Sequence, residues 1–161
     1  MKIIRLVLAC LLILQLSCDD NRVYEDYADF DQKIWLADSA AQFQFEIDNP
    51  DLKYNLYLNV RNTNTYPYHN LYVRYQLQDS AGNELMNELV NPNLYNEKTG
   101  EPLGSGLGDI YSHQFLLRKD ISFSQSGIYH VSLDQYMRQD TLQGIVSAGI
   151  RLEQNVSDVD K

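Results

Sequence analysis

The sequence predicts an all-β protein: an antiparallel two-sheet β-sandwich, Ig-like or jelly-roll-like, of seven or eight strands. Two observations carry this. Apolar and polar residues alternate with a period of two over successive short runs, and the breaks between runs are polar and rich in turn formers. A third supports it, since helical periodicity is nearly absent.

The elements follow in chain order. Residues 1–17 form an export signal: Lys2 and Arg5 precede nine uninterrupted apolar residues, Leu6 to Leu14. Asp19 and Asp20 follow too soon for a spanning helix, which needs about 20 apolar residues. "LSC" ends the segment, and Ser17 before Cys18 suits the processing of bacterial lipoproteins, in which the cysteine thiol receives a diacylglycerol and becomes the first mature residue. The fit is imperfect, because Gln15 occupies the position where an aliphatic residue is favoured. "VLAC" at Val7 to Cys10 matches that local pattern better, but cutting there leaves only Leu6 to Ala9 as the apolar stretch, which is too short. Cys18 is therefore the expected site of lipid attachment.

Residues 18–30 are expected to be the lipid anchor and an acidic tether, and the stretch "DDNRVYEDYADFD" from Asp19 to Asp31 is expected to become ordered near Tyr24 to Phe30. Residues 31–156 are the expected sandwich. Phe43, Phe45 and Ile47 face one way and Gln42, Gln44 and Glu46 the other, which is a half-buried strand. Tyr54, Leu56, Leu58 and Val60 alternate with Asn55, Tyr57, Asn59 and Arg61 in a second run. Leu71, Val73, Tyr75 and Leu77 alternate with Tyr72, Arg74, Gln76 and Gln78 in a third. "DNPD", "RNTNTYPYHN" and "DSAGN" separate them with hairpin-scale turns. Further strands are expected over Glu84 to Val90 and, after a long interval from Asn91 to Gly108, near Ile110 to Leu117, Ile128 to Leu133 and Ile145 to Glu153. "LDQYMRQDTL" at 133–142 suggests one helical turn. Residues 157–161 are an expected disordered tail.

Charge narrows the partners. Loss of Lys2 and Arg5 with the signal leaves 11 basic against 22 acidic side chains, a formal charge of −11. That disfavours nucleic acid and anionic lipid headgroups, so the membrane contact is the acyl anchor. Of the two cysteines, Cys10 is discarded and Cys18 modified, so no disulfide is expected and the core must supply the stability.

"EPLGSGLGDIYSH" at 101–113 is the most pointed local pattern. Gly104, Gly106 and Gly108 are spaced GxGxG, which fits neither the dinucleotide fingerprint nor a P-loop, and a strand follows where a helix would have to begin. Asp109 and His113 alternate with Tyr111 on one strand face and could supply two metal ligands. Zinc normally takes three or four, and only His69 and His130 remain as histidines. The plainer reading places the three on a solvated strand face. No nucleophile elbow is present, and no acid pair stands out among the 22 acids. No catalytic residue, metal or cofactor is expected. Aromatics are the remaining signal: Tyr66 and Tyr68 sit in a loop, and Tyr57 and Tyr72 occupy the faces opposite the apolar positions of their strands. Exposed tyrosines suit protein interfaces and also stack on sugars.

Three blocks carry a family resemblance: "YNLYLNVRNTNTYPYHNLYV" at 54–73, "KTGEPLGSGLGDIYSHQF" at 98–115 and "QYMRQDTLQGIVSAGIRLE" at 135–153. Together they resemble the gliding-motility lipoproteins of the GldH family of Bacteroidetes, over essentially the whole mature chain. The resemblance implies a non-enzymatic envelope lipoprotein of the outer membrane that acts as an assembly or interaction factor for the gliding and type IX secretion apparatus, with other gliding-motility envelope proteins as partners. Only the lipidated cysteine carries over as a residue role, to Cys18. A carbohydrate-binding envelope module is the alternative. The expected interaction surface is Tyr66, Tyr68, Leu103, Gly104, Gly106, Gly108, Asp109, Tyr111 and His113, with the glycines holding a docking loop through positive φ.

Overall fold

Alternation decides which side of each strand is buried, and the strand order then decides which strands share a sheet. A computed structural model describes residues 21–155, so the signal, Cys18 and the expected 157–161 tail lie outside the described residues. Among the described residues eleven strands are present: β1 (Arg22–Asp29), β2 (Ile34–Leu36), β3 (Ala41–Ile47), β4 (Lys53–Thr63), β5 (Val73–Asp79), β6 (Glu84–Val90), β7 (Ser105–Leu107), β8 (Ile110–Ser122), β9 (Gly127–Gln135), β10 (Thr141–Gln143) and β11 (Ile145–Asn155). Eight are long, and seven of those stand where the alternation placed them. The other three have three residues each.

One sheet has the order β1-β11-β4-β8-β7 and the other β3-β9-β5-β6, while β2 and β10 form a separate ribbon. Every pairing is antiparallel. The long strands pair as nested ribbons, β1 with β11, β3 with β9, β4 with β8 and β5 with β6. Nesting of that kind, distributed over two facing sheets, is a jelly roll, so the strand order selects between the two expected sandwich types.

The expected inward residues form the core. Leu56, Leu58 and Val60 of β4 are fully buried, as are Leu71 and Val73, Tyr75 and Leu77 of β5. Each such aliphatic side chain contributes about 1.5–3 kcal/mol by leaving water. Aromatic packing joins the two layers: Tyr24 of β1 meets Phe45 of β3 at 5.9 Å between ring centres, and Phe123, which Tyr54 of β4 meets edge-on at 5.5 Å, lies 4.5 Å from Tyr129 of β9. Edge-to-face and tilted geometries of this type add to the area buried. Trp35 stacks on Phe30 at 4.8 Å and donates its indole N–H to the Ser39 carbonyl.

Two expectations are corrected. The expected tether is built into the sheet from Arg22, where β1 lies against β11. Gly149 makes this possible, because a Cβ there would stand 2.3 Å from the Asp26 carbonyl and 2.8 Å from the Tyr27 ring. Residues 133–142 form no helical turn. β9 continues to Gln135, whose buried amide holds the following turn through hydrogen bonds to the Gln139 carbonyl and the Met137 N–H.

Candidate functional site

The β7–β8 hairpin contains the glycine pattern. Leu107 pairs with Ile110, so Gly108 and Asp109 make a two-residue turn, and Gly108 adopts φ +70°. Glycine at the first central position with positive φ is what a type II′ hairpin turn requires. Gly104 and Gly106 do not have positive φ, which corrects the expectation that all three glycines shape the loop by that means. Their role is steric. Gly106 pairs with Tyr111, and a Cβ on it would stand 2.4 Å from the Tyr111 ring. A Cβ on Gly104 would stand 2.4 Å from the Ser112 carbonyl and 2.7 Å from the His113 imidazole. Each glycine clears the space in which an aromatic ring lies across the strand.

Those rings point inward. β8 pairs with β4 so that His113 lies opposite Val60, Tyr111 opposite Asn62 and Phe115 opposite Leu58, all on the core side. The expected solvated face of Asp109, Tyr111 and His113 is therefore corrected: His113 is buried at 7% exposure, Tyr111 is half-buried and Asp109 alone is exposed, in the turn. The odd-numbered parity of Tyr111, His113, Phe115 and Leu117 carries the signal, since its apolar members mark the buried face.

Asn62, fully buried at the end of β4, organises this end of the sandwich. Its side-chain amide donates to the Tyr95 hydroxyl at 2.7 Å and to the Thr63 carbonyl at 3.0 Å, and the Tyr95 hydroxyl donates to the same carbonyl at 3.0 Å. The amide oxygen of Asn62 faces His113 Nε2 at 2.9 Å, so Nε2 carries the proton and donates. Burial pushes the His113 pKa below its ordinary 6.5, which keeps the ring neutral. Burial also raises the Tyr95 pKa, against the opposing hydrogen bond from Asn62. The His113 ring lies parallel to Phe115, and Tyr95 meets Tyr111 edge-on at 6.2 Å.

This network fastens the long connection between β6 and β7. Leu94 is fully buried, and the Leu94 and Tyr95 N–H groups both donate to the His69 carbonyl. At its tip, Asn96 accepts from the Lys98 and Thr99 N–H groups, and Gly100 closes the turn at φ +71°. The Asn64 N–H donates to the Asp109 carbonyl, tying the hairpin to the loop that holds Tyr66 and Tyr68. Tyr66 is another correction: it is buried at 5% exposure, donates its hydroxyl to the Asn70 carbonyl and sits edge-on to Tyr68.

Of the expected surface, then, Tyr68, Leu103, Gly104, Gly106, Gly108, Asp109 and Tyr111 retain exposure, with Leu103 at 57%, while Tyr66 and His113 support them from beneath. Sequence reasoning missed Asn62 and Tyr95. Asn62 continues the inward parity of Tyr54, Leu56, Leu58 and Val60, and a polar residue at such a position was the available signal. Among the described residues, no three histidine, cysteine or acidic side chains converge on a metal position.

A profile of the GldH lipoprotein family matches residues 22–152. The gliding motility lipoprotein GldH homolog of Christiangramia forsetii is 33% identical, over 89% of this chain and 91% of its own length. The gliding motility lipoprotein GldH of Flavobacterium johnsoniae is 30% identical, over 88% of this chain and 91% of its own. Among solved structures, the infectious bursal disease virus VP2 subviral particle aligns with 84% of this chain at TM-score 0.40 and 15% identity, and the chain spans 33% of that protein's length. A chain of the Gap123 glycosylation-associated complex of Streptococcus agalactiae aligns with 83% at TM-score 0.30 and 13% identity, and 46% of its length is spanned.

Proposed function

This chain belongs to the GldH lipoprotein family, and from that premise we propose that it is a non-enzymatic assembly or interaction factor for the gliding and type IX secretion apparatus, anchored to the outer membrane by acylated Cys18. Its relatives are gliding-motility lipoproteins, which supports a membrane-anchored place in the cell envelope and a part in gliding.

One observation carries the reading toward docking. The β7–β8 hairpin is held from below by a buried hydrogen-bond network, yet Asp109 in its turn and Leu103 just before β7 are exposed and Tyr111 is only half-buried. A rigid platform with exposed apolar and aromatic groups suits a protein interface, because little freedom is lost when a partner binds. His113 has its ring nitrogen committed to Asn62, so its place in this arrangement is to support the platform.

The test is chemical crosslinking from intact envelopes, with Tyr111→Ala and Leu103→Asp compared with the parent. Tyr111→Ala should weaken capture of a gliding-motility envelope protein by about 1–2 kcal/mol, the scale of an aromatic interface anchor. Colony spreading should fall with it. Variants that fold with the parent's thermal midpoint, crosslink to the same envelope proteins and spread equally would refute the docking role.

A further inference from the structure

A second surface lies at the end of the four-stranded sheet. A groove of about 530 Å³ is lined by Tyr68, Tyr72, Tyr136, Leu89, Arg138 and Gln139, with Met137 at its side. We propose that this groove binds an acidic glycan, a polymer of pyranose rings bearing carboxylates.

The rings supply the first part of the argument. Tyr72 and Tyr136 are 38% and 51% exposed on neighbouring strand ends, far more than a packing role needs. The Arg74 guanidinium lies 4.2 Å over the Tyr136 ring and fixes its plane. The turn behind them is set in advance by the buried Gln135 amide, which bonds the Gln139 carbonyl and the Met137 N–H. Flat, preset aromatic faces suit the C–H faces of sugar rings.

Charge supplies the second part. The chain has 22 acidic against 13 basic side chains, yet no acid lines this groove. Arg138 lines it and has no ion-pair partner among the described residues. A guanidinium is the side chain best matched to a carboxylate, which it can hold through two parallel hydrogen bonds. The site is thus complementary to an anion in a protein whose remaining surface repels anions.

Backbone geometry distinguishes a glycan from an acidic peptide. The Tyr136 N–H already donates to the Tyr72 carbonyl, and the Tyr72 N–H faces the Met137 sulfur at 3.3 Å. An extended peptide adding to a sheet needs free main-chain groups of this kind. Recognition here falls to the side chains that line the groove, where the Gln139 amide suits hydroxyl groups. A smaller depression of about 200 Å³, lined by no acid, adjoins the groove across Tyr68 and Gln139 and extends the path for a polymer.

The experiment is isothermal titration calorimetry of the detergent-solubilised full chain with hexagalacturonate, maltohexaose and a poly-glutamate of matched charge. Hexagalacturonate should bind, more tightly than maltohexaose or poly-glutamate. Arg138→Ala should weaken it about tenfold or more, the scale of one charge-assisted bidentate contact. Tyr136→Ala and Tyr72→Ala should weaken it too, at unchanged thermal midpoint. Absence of hexagalacturonate binding would overturn the proposal, as would equal binding of maltohexaose, equal binding of poly-glutamate, or an Arg138→Ala variant that binds like the parent. These residues lie outside the β7–β8 hairpin, so the result is independent of the docking test.

Discussion

Asn62 shows how one buried polar residue sets the geometry of a surface. Its amide satisfies Tyr95 and His113 together, and through them positions both the β6–β7 connection and β8. Asn62→Ala strands the buried His113 Nε2–H and takes one of its two hydrogen bonds from the Tyr95 hydroxyl, which keeps its bond to the Thr63 carbonyl; a buried polar group left without a bond costs about 1–3 kcal/mol. A fall in stability of that order, measured by denaturant unfolding, is the expected outcome; a loss below about 0.5 kcal/mol would show the network to be dispensable. His113 adds a pH dependence whose sign follows from burial. The unfolded imidazole takes a proton near its ordinary pKa of 6.5, and the folded one only at lower pH. Between those values the unfolded chain binds more protons, so stability is full above about pH 7 and falls as pH drops through 6.5 toward the lowered folded value. His113→Gln retains an amide able to donate to Asn62 and removes the titration. Unfolding midpoints from about pH 8 to 5 should therefore slope less in the variant than in the parent, and parallel curves would refute the assignment.

At the scale of elements, the β7–β8 hairpin depends on glycine for two different reasons. Gly108 serves the turn through its φ, whereas Gly104 and Gly106 leave room for rings. The obstacles differ in stiffness. Gly104→Ala drives its Cβ toward the Ser112 carbonyl, which is backbone and cannot yield without moving the strand. Gly106→Ala meets the Tyr111 ring, which can swing outward. Gly104→Ala should cost about 1–3 kcal/mol, as overpacking does, and Gly106→Ala less. Gly106→Ala combined with Tyr111→Ala should recover most of its own loss. Thermal unfolding of the three variants checks this, and equal costs at both glycines would contradict it. The same stretch marks where sequence alternation stops being informative. β3, β4 and β5 were legible because their apolar residues keep strict parity over five or more positions, and burial follows that parity. β1 was not, because Tyr24, Tyr27 and Ala28 are only half-buried on an edge strand whose ordering depends on Gly149, more than a hundred residues away. β7 was not, because a three-residue strand containing a glycine has no period to read. Tyr66 and His113 were placed on the surface for a related reason: their burial comes from the β6–β7 connection and from β4, partners that local sequence does not name.

For the whole molecule, the jelly roll brings the first and last long strands together, with β1 lying along β11. Among the described residues strand structure begins at Arg22, and in the sequence Asp19, Asp20 and Asn21 stand between it and Cys18. Three residues reach at most about 10 Å, which would hold an acylated domain close to the bilayer. The anchor must do this unaided by charge. Without Lys2 and Arg5 of the proposed signal the chain has 11 basic and 22 acidic side chains, and anionic headgroups would repel it. Nor, among the described residues, is any helix long and apolar enough to cross a membrane. On the proposed reading attachment rests on acyl chains at Cys18, each buried methylene contributing about 0.8 kcal/mol, with more than one chain needed for lasting binding. Cys18→Ala should move the protein from the membrane pellet to the soluble fraction, and Cys10→Ala should leave it in the pellet. Carbonate-washed membranes from cells expressing each variant, probed beside the parent, give the measurement. Washing strips proteins held only through partners, so Cys18→Ala persisting in the washed pellet would mean that something other than this thiol anchors the chain.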